Sequence, residues 1–222
     1  RMKKSMQNTE HMGSLPYGVT YLQNTVYIKI RNDYSNECEL CLYHHTDQTK
    51  DLKIAMEQQA NNPTVFTMIL HDLPYSEYDY CFRANGVEFI EENAKIIRGR
   101  EQFGEDRKDI APRAGFLSKD PPKFEYDHGP ERPYHEMILY ELHVRGFTMQ
   151  ESSGVLHKGT YQGLMEKIPY LMELGVNAVL LLPIMEFDEV SSHLAHPNEK
   201  KKVNYYGYGS ECYYYAPKSA YS

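Results

Sequence analysis

Apolar and polar residues alternate along the first half of the chain. Residues 26–31 read Val-Tyr-Ile-Lys-Ile-Arg, β-forming residues with apolar and basic positions alternating in the second half. Such a period of two predicts a half-buried strand. Residues 38–45 (CELCLYHH), 64–70 and 78–84 predict three more, and 87–90 a short fifth. Turn formers separate the runs: Asn32-Asp33, Thr46-Asp47, Asn61-Asn62-Pro63 and Asn85-Gly86. Asn-Gly between two such runs is a strong hairpin signal. Short strands at this spacing predict an immunoglobulin-like β-sandwich over 15–100. The polar residues 1–14 predict a disordered tail. Residues 101–136, charged and carrying Pro112, Pro121, Pro122, Pro130 and Pro133, predict a linker.

At Met137 the pattern changes. Residues 137–144 (MILYELHV) form a strongly apolar run. Tyr161, Leu164, Ile168 and Leu171 then fall at helical spacing. Pro169 predicts either a kink or the first turn of a new helix, and Gly175 stands where a helix C-cap belongs. Residues 176–182 are another apolar run, ended by Pro183. Strand, helix, strand with both strands apolar throughout predicts a parallel βαβ unit covered on both faces. A polar loop (186–202) and a tyrosine-rich end follow, and no internal repeat is visible.

Composition narrows the class. The 222 residues are enough for one large or two modest domains. The net charge of −7 argues against a nucleic-acid partner. No run approaches the ~18 apolar residues of a membrane span, so no membrane association is expected. The basic start, Arg1 to Ser5, is not followed by an apolar segment, so no signal peptide is expected. Tyrosine is abundant at 20 residues while tryptophan is absent. Tyrosine joins an apolar ring to a hydroxyl, which suits a sugar surface but equally a sheet face.

The four cysteines include Cys38 and Cys41 in a C-x-x-C. That spacing could be half of a zinc or redox site. In a strand, however, residues three apart face opposite sides, and no further pair at zinc-ligand spacing follows. The expectation is therefore free thiols in a reducing cytoplasm, with no metal and no cofactor.

Three further segments carry a family resemblance. ILYELHVRGFT (138–148), GTYQGLMEKIPYLMELGVNAVLLLPIMEF (159–187) and VNYYGYGSECYYYAPKSAYS (203–222), in this order and spacing, resemble the debranching branch of the α-amylase superfamily: isoamylases, bacterial glycogen-debranching enzymes and type I pullulanases. Residues 138–148 resemble barrel strand one and its loop. Residues 159–187 resemble helix one, strand two and the start of its loop. Residues 203–222 resemble the N-Y-W-G-Y stretch. ENAKIIRGREQFG (92–104) resembles the end of the family-48 carbohydrate-binding module that precedes the barrel in such enzymes.

The resemblance implies a β-sandwich followed by a (β/α)8 barrel that hydrolyses α-1,6 branch points of glycogen, starch or pullulan with retention. Such barrels run to about 250 residues. Residues 137–222 therefore correspond to its first βαβ unit, an incomplete barrel with an open edge that predicts self-association or a covering partner. The two carboxylates of a retaining glycosidase belong to later barrel strands, so no catalytic residue is expected here. A non-catalytic α-glucan-binding or regulatory protein, a branching enzyme and an α-1,4-acting relative are the alternatives.

Tyr208 matches the second tyrosine of N-Y-W-G-Y, which in the family stacks on the sugar at the cleavage point. Tyr206 stands where the family has tryptophan. These two are the expected substrate contacts. Glu141 and His143 are expected to form a polar pair at the top of the barrel. Asp188 and His193 have the Asp-to-His separation of a family signature but lack its strand, and are read as loop residues. Glu186, His193 and His196 could suggest a metal, yet nothing in the pattern fixes a geometry. Tyr43, Tyr78 and Tyr80 are expected to pack in the sheets rather than grip glucan.

Overall fold

A computed structural model describes residues 3–4, 12–22, 24–106, 113–117, 129–190, 203–208 and 212–222. The chain divides into two compact units. The first comprises Arg1–Gly99, Arg107–Asp120 and Tyr213–Ala216; the second comprises Arg100–Asp106, Pro121–Cys212 and Pro217–Ser222.

The first unit is built from strands β1 (Lys3–Lys4), β2 (Gly18–Leu22), β3 (Thr25–Arg31), β4 (Glu39–His44), β5 (Leu52–Ala55), β6 (Glu57–Gln59), β7 (Asn62–His71), β8 (Tyr78–Ala84), β9 (Val87–Phe89), β10 (Ile96–Arg98) and β11 (Arg113–Gly115). They form two sheets: β1-β7-β3-β2 with β6 beside β7, and β10-β11-β8-β4-β5 with β9 beside β8. The alternation predicted from sequence sorts the side chains between faces. On β3, Val26, Ile28 and Ile30 point inward, opposite Leu70, Met68 and Phe66 of β7. On β4, Leu40 and Leu42 oppose Phe82 and Tyr80 of β8. All ten side chains belong to one buried cluster shared by the two sheets. Each such side chain contributes roughly 1.5–3 kcal/mol by leaving water. Asn85 and Gly86 have φ of 49° and 79°, the two positive values of a type I′ hairpin turn.

Strands β2, β5, β6, β10 and β11 were not predicted from sequence. They are three to five residues long, too short to establish a period. The tail expectation also needs correcting where the tail is described. Lys3–Lys4 pairs with His71 and Leu70 on β7. Met12 is buried, and Lys29 Nζ donates to the carbonyls of Gly13 and Leu15 at 3.2 and 3.0 Å. A free sheet edge recruits backbone, and an apolar side chain is buried even from a polar segment.

The second unit contains β12 (Leu139–Leu142), α1 (Val144–Thr148), α2 (Tyr161–Glu166), α3 (Ile168–Glu173), β13 (Ala178–Leu181) and β14 (Met185–Phe187). Strand β15 (Cys212–Pro217) comes last in the chain. Strands β12 and β13 are parallel, with Leu139 opposite Ala178, Tyr140 opposite Val179, Glu141 opposite Leu180 and Leu142 opposite Leu181. The Asn177 side chain aligns them: Oδ1 accepts from the Ile138 N–H and Nδ2 donates to the Glu136 carbonyl, both at 2.9 Å. The Thr160 side chain caps α2 by accepting from the Gly163 N–H. Pro169 opens α3 as a new first turn instead of kinking a longer helix. At its end Gly175 (φ 82°) donates to the Met172 carbonyl and Val176 to that of Leu171, a Schellman cap.

Two expectations change. The predicted strand 137–144 is shorter, because His143 caps α1 and Val144 is already helical. The strands are also not covered on both faces: Ile138, Leu139, Tyr140, Val179 and Leu180 are all exposed. Each strand has one parallel neighbour among the described residues, which leaves a sheet two strands wide. Among those residues no helix is long and apolar enough to cross a membrane.

Candidate functional site

The candidate site lies at the C-terminal end of the β12–β13 pair, where α/β folds gather their chemistry. His143, the first residue after β12, is buried and accepts from the Gly146 N–H at Nδ1, 2.9 Å away. An accepting Nδ1 carries no proton, so in the neutral ring the proton sits on Nε2. Nε2 lies 3.1 Å from the Tyr221 hydroxyl and donates to it. Burial holds the His143 pKa below its usual 6.5, and the nearby Arg145 charge acts in the same direction. The Tyr205 carbonyl, which would accept from the charged ring, opposes both. Neutral His143 thus serves as a rigid aromatic-and-polar post.

Rings close around it. Tyr205 stacks on His143 at 4.9 Å and 30°, while Tyr206 and Tyr221 meet it edge-on at 5.5 and 5.7 Å. Phe103 lies parallel to Tyr221 at 6.3 Å and carries the Arg145 guanidinium over its face at 4.5 Å. Val144, Phe187, Ala220 and Tyr221 form the small buried core beneath.

Residues 204–208 form a turn held from within. Asn204 Oδ1 accepts from the Gly207 N–H at 2.9 Å, and its Nδ2 donates to the Tyr208 carbonyl at 3.1 Å. The Asn204 N–H in turn donates to the Glu189 carbonyl at 2.7 Å. The turn leaves Tyr206 and Tyr208 54% and 62% exposed.

Below the turn lies a buried charge cluster. Lys218 Nζ stands 2.5 Å from Glu186 Oε1, 2.6 Å from Glu189 Oε1 and 3.1 Å from the Phe187 carbonyl. The other oxygen of Glu186 accepts from the Ser219 N–H at 2.7 Å and hydroxyl at 2.6 Å. Two carboxylates sharing one ammonium invite comparison with the paired acids of a retaining glycosidase. Both side chains are nevertheless 5% exposed or less, with Lys218 between them. No sugar reaches them, and the cluster is a structural clamp.

Of the residues singled out from sequence, Tyr206 meets His143 here and Tyr208 lies in the same turn. Glu141 does not pair with His143: the strand ends at Leu142, His143 turns away as a buried helix cap whose ring nitrogens meet Gly146 and Tyr221, and Glu141 stays exposed. Asp188 is ion-paired with Arg100, as befits a loop residue. Glu186 is committed to Lys218 and Ser219, which removes it from the suggested metal trio. His193 and His196 lie outside the described residues. Sequence reasoning missed Tyr205, Tyr221, Lys218 and Glu189. The sequence marks them only by their place in the tyrosine-rich end and the polar loop.

No protein-family model matches the chain. Among curated proteins it is similar to chloroplastic isoamylase 3 of Oryza sativa subsp. japonica, 31% identical over 94% of this chain and 30% of that protein. It is also similar to the glycogen operon protein GlgX homolog of Haemophilus influenzae, 31% identical over 77% of this chain and 28% of the relative. The chain thus spans less than a third of the length of these relatives. Among solved structures, type I pullulanase from Bacillus subtilis, complexed with maltose, superposes with a TM-score of 0.67 at 21% identity, covering 93% of this chain and 28% of that one. That likeness is one of fold: a mostly β amino-terminal region with few helices.

Proposed function

Because this chain belongs to the isoamylase and pullulanase family of debranching glycoside hydrolases, we propose that it forms the amino-terminal part of an enzyme that hydrolyses α-1,6 branch points in α-glucan. On this reading residues 15–100 are an immunoglobulin-like sandwich of the carbohydrate-binding-module type, and 101–136 are a linker that lends the sandwich strand β11 between β10 and β8. Residues 137–222 open a (β/α)8 barrel, with β12 and β13 as its first two strands.

The observation that carries the reading is the pairing of two parallel, largely apolar strands whose Leu139, Tyr140, Val179 and Leu180 are exposed, with aromatic rings held at their C-terminal end. Parallel strands of this composition are normally buried on both sides, and later barrel strands and helices would bury them. Tyr208 and Tyr206 are the substrate contacts in this reading. Their rings would lie on pyranose C–H surface and set the plane of the sugar for attack by carboxylates from later strands.

The test is hydrolysis of pullulan and amylopectin by the whole protein, followed as released reducing ends. Release of α-1,6-linked branches is expected from the whole protein and none from the 222-residue chain. Turnover by the 222-residue chain alone, or cleavage of α-1,4 links only by the whole protein, overturns the proposal.

A further inference from the structure

The outward face of the β10-β11-β8-β4-β5 sheet carries a cluster that the debranching reading does not use. Strands β4 and β8 place Cys41 directly opposite Cys81. Alternation puts this pair on the face away from the core, since Leu40, Leu42, Tyr80 and Phe82 fill the inner face. Both cysteines are nonetheless fully buried. Glu88, on the neighbouring β9 opposite Arg83, completes a trio. The two Sγ atoms and a Glu88 carboxylate oxygen all lie within 4.8 Å of one another. Cys38, the other half of the C-x-x-C, points into the core and takes no part.

We propose that Cys41, Cys81 and Glu88 form a binding site for a thiophilic divalent cation of the zinc type. Two thiolates and a carboxylate are a donor set that such ions take at about 2.0–2.3 Å, and three mutually close donors supply three of the four tetrahedral positions. The surroundings fit the role. Tyr43, two residues from Cys41 and on the same face, donates its hydroxyl to Glu88 Oε1 at 2.6 Å, which fixes the carboxylate as an outer-shell partner does. The same hydroxyl lies 4.0 Å from Cys81 Sγ. The Arg113 guanidinium covers the Tyr43 ring at 3.7 Å.

The thiols are also unequal. A hydrogen bond from the Cys81 thiol pulls the Cys41 pKa down, and its donation with burial pushes that of Cys81 up. Ligation takes both sulfurs as thiolates, so binding of the ion releases the thiol protons.

The experiment titrates Cd²⁺ into the reduced 222-residue chain, in a background carrying Cys212→Ser and Cys38→Ala. Binding is read from the ultraviolet sulfur-to-metal charge-transfer band and from proton release. One equivalent of ion, a saturating band and a rise in melting temperature with Zn²⁺ are expected. Cys41→Ser or Cys81→Ser should remove the band. Should these buried substitutions unfold the chain, Glu88→Gln and Tyr43→Phe, at less buried positions, decide the matter. They should weaken affinity on the order of 10–100-fold for the outer-shell change, and more for the ligand. Absence of the band in the folded, reduced protein overturns the site. So does a band that survives Cys81→Ser, or an affinity unchanged in Glu88→Gln.

Discussion

Gly207 rests against the ring of Phe187: a Cβ placed on Gly207 would stand 2.7 Å from Phe187 Cε1. Its φ of 83° is in the left-handed region as well. Contact and backbone sign demand glycine for the same reason, which is that the turn carrying Tyr206 and Tyr208 folds down onto a buried ring. Gly207→Ala is expected to cost about 2 kcal/mol and lower the melting temperature by about 5 °C. A melting temperature equal to wild type would show that the turn is not seated on Phe187.

Tyr208 should matter to substrate more than to stability. Its ring is exposed, so Tyr208→Ala removes little packing. A ring laid on a pyranose hides roughly 50 Å² of C–H surface, worth about 1 kcal/mol. In the whole enzyme the expected result is about a fivefold loss in kcat/KM on pullulan, with Tyr208→Phe close to wild type. An unchanged kcat/KM in Tyr208→Ala would remove it from the substrate site.

Lys218 neutralises two buried carboxylates. Lys218→Met keeps the aliphatic stem but leaves Glu186 and Glu189 facing each other without the cation. Stranding buried charges in this way costs about 3–5 kcal/mol, so a drop in melting temperature of roughly 10 °C is expected. If calorimetry gives less than about 1 kcal/mol, the clamp is not structural.

His143 predicts a pH dependence with a definite sign. Its folded pKa lies below the ordinary 6.5. Above 6.5 neither the folded nor the unfolded state carries the proton, and the contribution to stability is complete. As pH falls below 6.5 the unfolded chain is protonated first, and stability is lost until the folded pKa is reached. His143→Asn retains a good N-cap acceptor for Gly146 and has no titrating ring. Melting curves from about pH 8 to about pH 5 should therefore fall more steeply in wild type than in His143→Asn. Parallel curves would refute the assignment.

Much of the architecture was legible in local pattern. The alternation in β3 and β8, the Asn85-Gly86 turn and the cap at Gly175 are all decided within a few residues, whereas Pro169 left a kink and a new first turn both open until the structure showed α3 beginning at Ile168. Residues 138–148, 159–187 and 203–222 likewise led to the debranching family. The exposure of β12 and β13 was not legible, because apolar runs report what a strand needs and not what its neighbours supply. Nor was the charge clamp, since Lys218 and Glu186 are 32 residues apart.

The cysteines draw the line most sharply. Sequence alone read Cys38 and Cys41 as strand residues facing opposite ways, which dismissed the C-x-x-C as a site; β4 in fact begins at Glu39, just after Cys38. It was silent on the real neighbour of Cys41, because Cys81 arrives through the register of two strands that are distant in the chain. The chain determined its own strands, turns and caps, whose energies are local. Which side chains meet across a sheet was decided only when burial of the shared core locked the strands in register.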